Sequence, residues 1–132
     1  MEKGVRSVYP ENLKYLDTHQ WIKVEATIGK VGISWYGQEQ LGEILLVELP
    51  KVGEEITHKK TFATLESSKT AFEVPSPVSG KVIEINTQLE EDPSLINKDP
   101  YGRGWMIKLK ISHPQEIDSL LNAQEYKKLV EQ

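Results

Sequence analysis

Thr61-Phe62-Ala63-Thr64-Leu65-Glu66-Ser67-Ser68-Lys69-Thr70-Ala71-Phe72-Glu73-Val74 is the stretch that decides the fold. Thr61 to Glu66 and Ala71 to Val74 read as the two arms of a β-hairpin. Phe72 and Val74 share one face by the period of two. Ser67, Ser68 and Thr70 are small, so they leave Lys69 sterically open at the tip. Pro75 and Pro77 lack a backbone donor, so the second arm ends there or lies at a sheet edge. Gly80 closes the segment Pro75-Ser76-Pro77-Val78-Ser79-Gly80, where a turn before the next strand favours positive φ.

Outward from the hairpin the chain stays β. Trp21 to Glu25 and Thr27 to Ile33 predict strands, with Gly29 and Gly32 loosening the second. Ser34 is placed to cap a short helix over 35–41 that Gly42 ends. Glu43 to Leu49 is a mostly apolar strand stopped by Pro50, and Glu55 to Thr57 starts another. Lys81 to Asn86 predicts a strand paired back after the Ser79-Gly80 turn. Residues 87–104 read as a long loop, with one helical turn opened by Asp92-Pro93 and a β-turn at Asp99-Pro100-Tyr101-Gly102. Trp105, Ile107, Leu109 and Ile111 alternate with Met106, Lys108 and Lys110, a half-buried strand.

The ends differ in character. Residues 1–17 read as a partly ordered arm. Pro114 opens a C-terminal helix with Ile117, Leu120 and Leu121 on one face. Asn122 and Glu125 form a capping box for a second helix over 123–130, with Leu121 and Tyr126 as its hydrophobic staple. The expectation is a mostly β chain: a flattened β-sandwich or barrel-sandwich hybrid with short helices, including two at the C-terminus. One domain spans 1–132, with its core over about 15–111 and the C-terminal helices over 114–130.

Composition narrows the function classes. Twenty acids and sixteen bases give a net charge of −4 without a basic cluster, so no nucleic acid or anionic lipid partner is expected. No apolar run reaches membrane-spanning length, and the first residues lack the apolar stretch of a signal peptide. The expected location is the cytoplasm and the expected state a monomer. Cysteine is absent, which excludes disulfides, thiolate metal sites and a cysteine nucleophile. Any redox sulfur must come from a bound group. His19, His58 and His113 are too far apart in sequence to suggest a metal. No Ser/His/Asp arrangement can be argued. A lysine on a rigid hairpin tip is, however, a good attachment point for a swinging cofactor arm.

Glu66-Ser67-Ser68-Lys69-Thr70-Ala71 followed by Ser76-Pro77-Val78-Ser79-Gly80 resembles the lipoylation segment of the biotinyl/lipoyl domains. Val24-Glu25, Val31-Gly32-Ile33, Gln38 to Gly42, Val47 to Pro50, and Asp99 to Gly102 with Gly104-Trp105 narrow the resemblance to the glycine cleavage system H protein family. The resemblance covers about residues 15–130. It implies a lipoyl-domain fold and lipoate amide-linked to Lys69. Glu66 and Gly80 would shape the hairpin and guide the modifying ligase. His19, Gln20 and Glu73 would line the cleft that holds the arm. The implied carrier takes the aminomethyl group from glycine decarboxylase to the aminomethyltransferase, is reoxidised by dihydrolipoamide dehydrogenase, and is itself no enzyme, since it catalyses no step. A lipoate ligase or a lipoyl/octanoyl transferase would modify it. Biotin carriers place methionines beside the lysine, where Ser68 and Thr70 stand here. Phe72-Glu73-Val74-Pro75 is closer to the carriers of 2-oxoacid dehydrogenases, but those are shorter domains on linkers. Gln20 replaces the glutamate usual in the H proteins. An amide offers a cation only a dipole, so an H-like carrier of sulfur intermediates for a heterodisulfide-reductase-like system is the alternative.

Overall fold

The computed structural model describes residues 8–131; the part of the expected N-terminal arm over 1–7 lies outside them. In chain order the strands are β1 (Lys14–Tyr15), β2 (Gln20–Glu25), β3 (Ile28–Ile33), β4 (Ile44–Glu48), β5 (Glu55–Ile56), β6 (Thr61–Ser67), β7 (Ala71–Pro75), β8 (Gly80–Ile85) and β9 (Ile107–Ile111). Helix α1 (Trp35–Leu41) lies between β3 and β4. The short helices α2 (Gln88–Glu91) and α3 (Leu95–Lys98) lie between β8 and β9. A 3₁₀ helix over Pro114–Ser119 and α4 (Ala123–Val130) follow β9.

Two antiparallel sheets form a sandwich: β1-β2-β3-β9-β8-β5 on one side and β4-β6-β7 on the other. Leu65, Val74 and Val78 meet Ile22, Val31, Val82, Ile107 and Leu109 in the main core. Each fully buried Leu or Ile side chain there stabilises the fold by about 2 kcal/mol. A second cluster joins Leu13, Tyr15 and Trp21 to Ala123 and Tyr126 of α4. The expected N-terminal arm is thus firmly part of the core from Leu13 onward. β1 is bridged to the C-terminal segment by reciprocal bonds, Tyr15 N to Leu121 O and Leu121 N to Tyr15 O, both 2.8 Å.

Local signals explain the helices. Ser34 Oγ accepts from Gly37 N, and α1 stops at Gly42, whose φ is 82°. The Asn122–Glu125 capping box is complete in both directions. In the other C-terminal helix Pro114 stands at the start as expected, but the turn winds as 3₁₀.

Three expectations need correction. β8 does not pair back on the hairpin; it crosses to the other sheet and lies between β5 and β9. The loop at 87–104 holds two helical turns rather than one, and Asp92-Pro93 leads into the second, with Leu95 N donating to Asp92 O and Ile96 N to Pro93 O, both at 3.2 Å. Met106 is fully buried, whereas Trp105 is only partly so, with the Lys108 ammonium 5.4 Å from the Trp105 ring centre. The apolar alternation is also broken where strands slip register. Shifts at Ile44/Leu46 and Val82/Glu84 accompany the exposed Leu45, Leu46 and Ile83, as an extra residue in one strand interrupts the pleat.

Candidate functional site

The β6–β7 hairpin presents Lys69 at its tip. Glu66 pairs with Ala71 as the last rung of the ladder. Ser67 N then donates to Thr70 O at 2.8 Å. Ser67 Oγ accepts from Lys69 N and Thr70 N, both at 3.1 Å. A single hydroxyl therefore satisfies two turn donors and holds the turn closed. Lys69 itself is exposed.

The turn is docked as well as closed. Ser68 N donates to Glu43 O at 3.0 Å. A Cβ on Gly42 would lie 3.3 Å from both Lys69 Cε and Ser68 Oγ, so the lysine stem runs beside a bare backbone. Beneath Gly42 sits Asn97 of α3. Its Nδ2 donates to Gly42 O and to Gln38 Oε1, both at 2.9 Å. Its Oδ1 accepts from Ile44 N at 2.9 Å. Asn97 thereby joins α1, the 42–44 segment and α3 under the tip. An open groove of about 380 Å³ runs beside it, lined in part by Glu39, Glu43, Ser94 and Lys98.

Sequence reasoning missed Asn97 because it lies in a stretch read as irregular. Its only signal was a polar residue directly after the apolar pair Leu95-Ile96. Asn97→Ala removes all three bonds, and each net bond contributes about 1 kcal/mol. We expect a loss of about 3 kcal/mol by denaturant unfolding, together with faster amide exchange at Ser68 and Ile44. Unchanged exchange at Ser68 would show that the tip does not depend on this support.

A second feature also borders α1. A cavity of about 100 Å³ is lined by the apolar Ile33, Leu41 and Phe72, by Thr18, His19 and Gln40, and by Gly37. Phe72 belongs to β7 and so ties the cavity to the hairpin. His19 enters from the β1–β2 connection with φ 84°, a conformation a non-glycine residue adopts at some cost. Its Nδ1 lies 2.8 Å from Tyr126 Oη. Tyr126 Oη lies 2.6 Å from Ser34 Oγ. Burial holds the His19 pKa below its ordinary value of 6.5, and the nearby Asp17 charge offsets this only in part.

His19, Gln20 and Glu73 are expected to line one cleft; the structure does not bring all three to this cavity. His19 lines the cavity. Gln20 is fully buried and bound to Thr18: Thr18 Oγ1 donates to Gln20 Oε1 at 2.6 Å, and Gln20 Nε2 donates to Thr18 O at 2.8 Å. It supports the wall rather than lining it. Glu73 is exposed, opposite Thr64 in the sheet, on the face away from Phe72 and Val74. Glu66 is exposed at the base of the turn.

Gly80 stands apart from the lysine altogether. It begins β8, paired with Ile56 and Ile111, and its φ is not in the positive region. A Cβ there would collide with the Lys110 carbonyl oxygen. Close strand approach, not turn conformation, requires the glycine. Among the described residues no group of His, Asp and Glu is arranged to hold a metal, and no helix is long and apolar enough to cross a membrane.

The arrangement provides an exposed amine on a fixed turn, with an open groove and a small, mostly apolar cavity elsewhere along α1. The chain as a whole is similar to known proteins. The family model described as Glycine cleavage H-protein matches residues 13–132. The glycine cleavage system H protein of Symbiobacterium thermophilum is 52% identical over 117 residues, covering 89% of this chain and 91% of that protein. The H protein of Carboxydothermus hydrogenoformans is 49% identical over 126 residues, with coverage of 96% and 97%. The crystal structure of the H protein from Mycobacterium marinum superposes with a TM-score of 0.83 at 32% identity, over 93% of this chain and 99% of that one.

Proposed function

Because the chain belongs to the glycine cleavage H-protein family, we propose that Lys69 is the residue that bears the family's lipoyl group and that the cavity beside Phe72 receives the end of the arm. The family is the non-catalytic lipoyl carrier of glycine cleavage, and this protein is such a carrier. It works with the other components of that system. Glycine decarboxylase, the aminomethyltransferase and dihydrolipoamide dehydrogenase are its proposed partners in turn, after a lipoate ligase or a lipoyl/octanoyl transferase.

One observation carries the assignment to Lys69. It is the exposed lysine of a turn fixed by Ser67 and docked on Glu43, with its stem along bare Gly42. These residues fit the group: the amine is free to be acylated, and no side chain at Gly42 crowds it. The lipoyl group, when bound, supplies a dithiolane that opens to accept the aminomethyl group of glycine. The protein's own part is positioning. The hairpin keeps the attachment point fixed, and a short tether holds the arm's end near a docked partner at an effective concentration of order mM. Glu66, exposed at the base of the turn, is the side chain offered to the modifying enzyme.

Gln20 does not argue for a different cargo. Its amide is engaged with Thr18, and an ionised carboxylate there could not donate to Thr18 O. The substitution fits a wall-supporting role.

The test is direct. The protein produced with lipoate and a ligase is expected to gain one lipoyl mass, mapped by peptide analysis to Lys69. Glu66→Ala is expected to slow that modification about tenfold with little change in stability, since exposed substitutions seldom exceed about 0.5 kcal/mol. An adduct on another lysine, or none, would overturn the assignment.

A further inference from the structure

His19 is held at the cavity by three independent devices. Its backbone occupies the positive-φ region at 84°. Gly37 is bare where a Cβ would lie 2.9 Å from His19 Cβ. Its Nδ1 is joined through Tyr126 Oη to Ser34 Oγ, at 2.8 and 2.6 Å. Tyr126 is itself fixed: it is fully buried and stacked on Tyr15 at 4.5 Å with planes 4° apart.

The protons along this chain can be assigned. Ser34 Oγ accepts from Gly37 N at 3.0 Å, and Ser34 is fully buried. Among the described hydrogen bonds its hydroxyl proton has one acceptor, Tyr126 Oη. An orphaned buried donor would be costly, and no buried side-chain polar atom among the described residues lacks a partner. Ser34 therefore donates to Tyr126. Tyr126 in turn donates to His19 Nδ1. The imidazole proton then resides on Nε2, for which no protein partner is found among the described hydrogen bonds. The opposite direction would leave the Ser34 proton without an acceptor.

We propose that Ser34 and Tyr126 are positioning residues that lock His19 as a neutral, Nε2-protonated hydrogen-bond donor at the arm cavity, aimed at an acceptor sulfur of the dihydrolipoyl arm and not at its ammonium. The proposal rests on reading the cavity as the place that receives the arm. Among the described residues lining that cavity there is no carboxylate, so a protonated His19 would repel an aminomethyl cation with nothing in the wall to offset it. A neutral donor avoids this and still engages the sulfur left free when its neighbour carries the cargo. The groups facing the ring agree. Tyr36 packs against it at 4.8 Å, Tyr126 lies at its edge, and burial outweighs the Asp17 charge in favouring the neutral form.

The test is ¹⁵N NMR of the histidine rings, with His19 assigned by comparison with His19→Gln. In the unmodified full chain His19 is expected as the Nε2–H tautomer. In Tyr126→Phe, which retains the stacked ring, it should become a tautomer mixture with a raised pKa. The aminomethyl-loaded form of that variant should also decay about fivefold faster, the factor carried by one neutral hydrogen bond. An Nδ1–H tautomer in the wild type, or an unchanged tautomer in Tyr126→Phe, would overturn the proposal. The arm is followed separately through the Ile33 and Leu41 methyl signals. If these stay fixed on loading, the cavity reading fails. If they move while His19 Nε2 does not, the His19 contact alone is refuted.

Discussion

Lys69→Arg is expected to abolish carriage of the aminomethyl group completely while moving the melting temperature by no more than about 2 °C. The first half follows from chemistry. Lipoylation needs an amine that can lose its proton and form an amide. A guanidinium stays protonated under all ordinary conditions, so no arm is attached. The second half follows from placement. Lys69 is exposed, and the bonds that close and dock the tip use the Lys69 backbone, Ser67 and Ser68. Arginine keeps that backbone and the aliphatic stem beside Gly42. The measurements are intact mass after co-expression with a ligase, turnover with glycine decarboxylase, and a thermal melt. Residual lipoylation or turnover would mean that another lysine carries the arm. A melting temperature lowered by more than about 5 °C would mean that the lysine is part of the fold's support.

Gly80→Val should do the reverse. The added side chain has no room, because the Cβ alone collides with the Lys110 carbonyl oxygen. The acceptor belongs to the neighbouring strand of the six-stranded sheet, so relief requires β8 and β9 to separate. That separation would strain the pairs Gly80–Ile111 and Lys81–Lys110. Overpacking of this kind costs about 3 kcal/mol or more, a large share of a small domain's stability. Chemical denaturation should show it as a lowered midpoint. At temperatures where the variant is still folded, Lys69 should be lipoylated at the ordinary rate, because Gly80 lies in the other sheet. A stable variant that is modified slowly would return Gly80 to the modifying enzyme's footprint.

The hairpin, α1 and the capping box of α4 were legible because each is written in local chemistry. Ser34 and Gly42 bracket α1, and Asn122 and Glu125 frame the start of α4. What failed was whatever depends on partners distant in sequence. The Ser79-Gly80 segment carries turn residues, and nothing local says that the chain crosses to the other sheet there. Gly80 was assigned to turn conformation because φ and close approach select the same residue. Gln20 and Glu73 are local exceptions: alternation along β7 turns Glu73 away from Phe72, and Gln20 is engaged with Thr18 two residues before it. Asn97 and Tyr126 do not disclose their partners locally. Their partners, Gly42 and Ile44 for one and His19 and Ser34 for the other, lie far away along the chain.

The reciprocal bridge between Tyr15 and Leu121 has a consequence for the order of events during synthesis. The 61–75 hairpin with Lys69 emerges from the ribosome before Leu121 and Tyr126 have been made, by an interval of seconds at about 5–20 residues per second. Contacts between such distant segments also form late in folding. Until they form, β1 lacks its outer partner and His19 lacks the hydroxyl that sets its ring. A nascent or C-terminally nicked chain would therefore display an acylatable lysine while its cavity is unfinished. On the proposed reading of the cavity as the arm's receiver, such a chain would accept lipoate and cargo while leaving the cargo open to water, so competence to be modified precedes competence to protect.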